Sequence, residues 1–100
     1  MTVDPRLQAL RDQIDVLDAE LIALMGRRFD VTRAVGVLKR EIGLPKADPA
    51  REERQITRLR TMASDVGLDE EFSERLLRLI IDEVIRDYAR KGSNSGTDSA

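Results

Sequence analysis

One apolar stripe limits what this chain can fold into. Leu7, Leu10, Ile14, Leu17, Leu21, Leu24, Val31, Val35, Leu38 and Ile42 follow at alternating steps of three and four, and Arg28 stands on the same stripe. Such spacing is a heptad seam, so it predicts one continuous helix. Asp4-Pro5 reads as N-cap plus first helical residue. Val16, Ile22, Met25 and Phe29 widen the stripe, which calls for cover on more than one side. Gly26 and Gly36 each weaken the helix by about 1 kcal/mol relative to Ala without ending the pattern, and are candidates for close helix contact. A helix from Pro5 to Ile42 is about 57 Å long. A compact monomer of 100 residues has a radius of gyration of about 13 Å, hence a diameter of roughly 35 Å. The rest of the chain is too short to cover such a stripe, so two copies are expected to cover each other.

The remaining elements are predicted to be two shorter helices. Gly43-Leu44-Pro45-Lys46-Ala47 breaks the first, and Asp48-Pro49 repeats the cap-and-proline device. The second helix carries the stripe Glu52, Ile56, Leu59, Ala63 and Val66, with Gly67 as its C-terminal stop. Asp69 caps a third, with Phe72, Leu76, Leu77, Leu79, Ile80, Val84 and Ile85 as its apolar residues. The expected fold is all-α: three helices per chain, one long and two shorter, in an intertwined six-helix dimer. One helical domain is expected over residues 1–91, followed by a disordered small and polar tail over 92–100.

Composition removes several function classes. The net charge is −2 and acids and bases are interleaved, which argues against a nucleic-acid partner. No apolar run approaches the roughly 18 residues of a membrane span. The first ten residues, MTVDPRLQAL, lack the basic and apolar regions of a signal peptide, so a cytoplasmic protein is expected. There is no His and no Cys, and no metal or phosphate-loop motif, so neither a metal nor a cofactor is expected. Binding remains, or a reaction driven by shape and charge alone.

Arg28 has two readings. It fixes register or oligomeric state, or it meets an anion, because a buried unpaired guanidinium costs several kcal/mol. Other cations favour the second. Lys39 lies eleven residues on, about 20° around the helix and some 16 Å along it. Arg11 stands four heptads before Lys39, within reach of a partner's site in an antiparallel dimer. Arg51 opens the second helix, whose N-terminus adds positive potential. Arg11 and Arg51 taken singly read as solvated surface; the set reads as a dianion site.

The sequence resembles the all-helical chorismate mutases from about Leu7 to Ala89. The resemblance rests on LxALRxxIDxLDxxLIALMxRR (Leu7 to Arg28), VGxxK (Val35 to Lys39), PxxDPxREE (Pro45 to Glu53) and RLLRLIID (Arg75 to Asp82). It implies an intertwined homodimer with shared sites and a dianionic substrate, chorismate, rearranged to prephenate. It further implies that Arg28 and a partner's Arg11 bind one carboxylate, and that Lys39 meets a carboxylate and the ether oxygen. Asp48 and Glu52 would orient the ring hydroxyl, and Arg51 the ring carboxylate. Helix three departs from the family: Tyr88 replaces a Gln or Glu that donates to the ether oxygen, and Val84 replaces a small hydroxyl residue. Tyr88 is either a donor or an amphipathic lid, and Val84 reads as packing. Lys39, Arg28 and Tyr88 are the candidate catalytic residues. Alternatives are a 4-amino-4-deoxychorismate mutase, an isochorismate pyruvate lyase, or a non-catalytic regulatory dimer.

Overall fold

The structure, a computed structural model, describes residues 4–90. The polar tail expected over 92–100 lies outside the described residues. Three helices make up the chain: α1 (Pro5–Ile42), α2 (Pro49–Asp65) and α3 (Glu70–Ser99), the last described as far as Arg90. Among the described residues there is no strand, and no helix is long and apolar enough to cross a membrane. The all-α expectation holds, with α1 and α2 opening where the Asp-Pro pairs stand.

The chain divides after Thr32 into two compact units. The first contains α1 up to that point. Asp4 caps it: the Arg6 amide donates to its Oδ1 at 2.8 Å, and the Arg6 guanidinium grips the same carboxylate, with Nη2 to Oδ2 at 2.7 Å. These bonds, the side-chain one foremost, hold the Asp4 carboxyl below its usual value. The seam, expected to be core, is uncovered in the single chain. Leu10, Leu17 and Leu24 are 57%, 60% and 53% exposed, and no residue of α1 is buried.

The second unit holds the last turns of α1 with α2 and α3. Both of the first two helices end in the same way. Gly43 and Gly67 each adopt φ +74, a left-handed conformation that side chains disfavour. Leu44 N–H then donates back to the Lys39 carbonyl at 2.8 Å, and Leu68 N–H to the Ala63 carbonyl at 2.8 Å. These six-to-one bonds satisfy carbonyls that the helix leaves unpaired. Asp48 and Asp69 cap the next helices by accepting from the amides of Arg51 at 3.1 Å and Phe72 at 2.8 Å.

The two helices α2 and α3 pack together as a hairpin. Its core is small: Ile56, Ala63 and Leu77, with the polar residues Ser73 and Asp87 also buried. Ser73 satisfies its hydroxyl locally, donating Oγ to the Asp69 carbonyl at 2.9 Å. At the rim, Arg60 Nη1 reaches Glu74 Oε1 at 2.8 Å, and Arg78 Nε reaches Glu74 Oε2 at 2.9 Å.

One predicted stripe needs correcting. Val66 is 78% exposed, because α2 stops at Asp65 and Val66 has already left helical geometry to become the C-cap. On α3 the packed positions are Ser73, Leu77, Ile80, Val84 and Asp87, spaced by three and four. Of the apolar residues named above for this helix, Phe72, Leu76 and Leu79 lie off that line and are exposed in the single chain.

Candidate active site

The candidate residues divide between the units. Arg11 and Arg28 belong to the first, on α1. Arg11 is exposed and Arg28 half-buried, and among the described residues Arg28 makes no hydrogen bond or ion pair.

The second unit carries Lys39, Asp48, Arg51, Glu52, Val84 and Tyr88. Lys39, half-buried near the end of α1, donates Nζ to the Lys46 carbonyl at 3.1 Å. Its own carbonyl accepts from Leu44, so this one residue fastens the connecting loop at two points. An ammonium has three donor protons, and the Lys46 carbonyl uses one. Asp48 engages Oδ1 in capping, which leaves Oδ2 able to accept another donor. Glu52 is half-buried one turn into α2, and Arg51 is exposed beside it. The start of α2 thus combines a cation, two carboxylates and the positive end of the helix dipole.

Tyr88 and Val84 lie one turn apart on α3, both half-buried. Tyr88 stacks over the backbone of Gly36. An ideal Cβ on Gly36 would fall 2.8 Å from Cε1, 3.0 Å from Cδ1 and 3.1 Å from Cζ of that ring. Gly36 is therefore the close-contact glycine that the sequence suggested. Within this chain Gly26 makes no such contact: its Cβ would meet nothing within 4 Å.

Sequence reasoning missed two residues beside this contact. Arg33 donates Nε to Asp87 Oδ2 at 2.8 Å and Nη2 to Asp87 Oδ1 at 3.0 Å. Asp87 is buried, its side chain 5% exposed against 39% for Arg33. The two stand 54 positions apart, and no local pattern links residues so distant. The one available signal was the position of Asp87, three residues after Val84 on the packed face of α3.

Fold and residues together define an all-helical protein whose polar equipment is cations and carboxylates at helix ends, without a His or Cys nucleophile. The chain belongs to the chorismate mutase family of type II: the model of that family matches residues 10–87. It is 36% identical over 86 residues to the 4-amino-4-deoxychorismate mutase of Streptomyces venezuelae, covering 86% of this chain and 84% of that protein. It is 35% identical over 86 residues to the T-protein of Enterobacter agglomerans, covering 86% of this chain but only 23% of that larger protein. It is 26% identical over 77 residues to the chorismate mutase of Methanocaldococcus jannaschii, covering 77% of this chain and 78% of that protein.

Proposed function

We propose that this chain is a cytoplasmic chorismate mutase, converting chorismate to prephenate in sites shared by the two chains of a homodimer. The family match carries the reading, because its span of 10–87 includes Arg11, Arg28, Lys39, Asp48, Arg51, Glu52 and Val84. The uncovered seam of α1 supports the dimer. Burying a Leu or Val side chain is worth about 1.5–3 kcal/mol, and Leu7, Leu10, Ile14, Leu17, Leu21 and Leu24 all await a partner.

The reaction breaks a carbon–oxygen bond as a carbon–carbon bond forms, within one molecule and without proton transfer. The site must therefore fold the enolpyruvyl arm over the ring and stabilise charge growing on the ether oxygen. Arg28, with Arg11 of the partner subunit, holds the side-chain carboxylate. Arg51 holds the ring carboxylate. Lys39 spends one donor on the Lys46 carbonyl and keeps two, one for a carboxylate and one for the ether oxygen. Asp48 and Glu52 accept from the ring substituent. Tyr88 is the second ether-oxygen donor, and Val84 packs beneath the substrate.

A second reading has its own observation. The relative from S. venezuelae, matched along most of its length, is named a 4-amino-4-deoxychorismate mutase. An ammonium in place of the ring hydroxyl would pair with Asp48 and Glu52 more strongly than a hydroxyl does. Incubating the protein separately with chorismate, isochorismate and the amino analogue, and following substrate loss and product, separates the readings. Prephenate from chorismate supports the first. Turnover of the amino analogue alone supports the second, and pyruvate from isochorismate would identify a lyase.

A further inference from the structure

We propose that Arg33 and Asp87 form a positioning pair that holds Tyr88 over Gly36, in the geometry the rearrangement needs. The inference rests on the mutase reading and adds two residues to it, neither of which touches the substrate. Asp87 precedes Tyr88 directly on α3, and Arg33 precedes Gly36 by three residues on α1. The pair and the ring–glycine contact thus join the same short stretches of the two helices, one turn apart on α1 and adjacent on α3.

The pair is built for orientation. Its guanidinium meets the carboxylate through two parallel bonds of 2.8 and 3.0 Å, a fork that fixes angle as well as distance. Its carboxylate end is buried and receives a further charge contact from Arg90 Nη2 at 3.7 Å. A buried pair of this kind is weak evidence for stability, because desolvation offsets much of the attraction. What it contributes is orientation: the fork ties Asp87 to Arg33 at two points, and Tyr88 follows next on α3. A misplacement of about 1 Å at a donor is enough to cost up to roughly 100-fold in rate.

The test uses the chain's single tyrosine. With one Tyr and no Trp, its ultraviolet emission reports on Tyr88 alone. Asp87→Asn removes the charge of the fork's carboxylate while keeping its size and its ability to accept a hydrogen bond. Arg33→Met/Asp87→Leu removes both charges, so no buried carboxylate is left alone if the single variant folds poorly. Acrylamide quenching of Tyr88 and chorismate kinetics are measured on both, under conditions where circular dichroism gives the parent's helix content. Quenching is expected to rise at least about twofold as kcat falls at least about tenfold with KM little changed. In a Tyr88→Phe background the same substitutions should cost little further kcat. Unchanged quenching overturns the positioning role. Increased quenching with unchanged kcat overturns its relevance to the reaction. A parent inactive on chorismate instead overturns the mutase reading and the catalytic half of this inference, while the quenching result still decides whether the pair positions Tyr88.

Discussion

In the proposed reaction, Lys39 is the residue on which most of the chemistry converges. Its ammonium is tied to the protein by one exposed hydrogen bond, worth about 0.5–1.5 kcal/mol net. Lys39→Met keeps much of the apolar stem and removes the charge. We expect kcat to drop on the order of 100- to 1,000-fold, the usual cost of losing a preorganised donor, with a melting temperature within a few degrees of the parent's by calorimetry. A large melting shift with modest loss of turnover would make Lys39 a loop anchor instead. Tyr88 is tested by Tyr88→Phe, which deletes the hydroxyl and keeps the ring that covers Gly36. Charge on the ether oxygen develops in the transition state, so the loss should fall on kcat rather than KM in steady-state kinetics. An unchanged kcat would reduce Tyr88 to packing and leave Lys39 as the main donor.

At the scale of the helices, close approach and charge can be varied separately. Gly36→Ala should favour α1 by about 1 kcal/mol through helix propensity. Its methyl, however, would enter at 2.8 Å from the Tyr88 ring and push it aside. The expected result is undiminished helix content by circular dichroism with lowered kcat, a combination that simple destabilisation does not give. The α2–α3 rim offers a pH test. Glu74 is held below its ordinary pKa by Arg78 first and Arg60 second. A depressed carboxylate stabilises above its unfolded-state value and loses that contribution as pH falls through the folded one. Glu74→Gln should therefore flatten the fall in thermal stability below about pH 4.3, the ordinary glutamate value. Equal acid sensitivity in both proteins would show that the rim does not bear on stability.

The same scale shows why the sequence was legible in parts. Helix starts were readable because Asp-Pro caps act through their nearest amides, and helix ends because Gly43 and Gly67 alone meet the left-handed requirement cheaply. Arg28 stood out because a charge on an apolar stripe is costly unless it meets an anion. Val66 was misread because periodicity does not mark the residue where a helix unwinds. The packed face of α3 was not legible because Ser73 and Asp87 are polar, yet occupy packed positions that their partners make tolerable. Arg33–Asp87 was invisible, since the two residues stand 54 positions apart and meet only in the folded chain.

The whole molecule raises the question of how many chains make one site. A single chain leaves the seam of α1 in water and keeps Arg11 exposed. The most direct measurement mixes two defective proteins, Arg11→Ala and Lys39→Met, after co-unfolding and refolding, and follows chorismate loss. In a mixed dimer, one site takes Lys39 from the first chain and Arg11 from the second, and so contains both. The other site lacks both. With random pairing, half the dimers are mixed and half of their sites are intact, so about one quarter of the parent's activity per chain should return. A mixture no more active than the two variants measured apart would contradict a site shared between two chains.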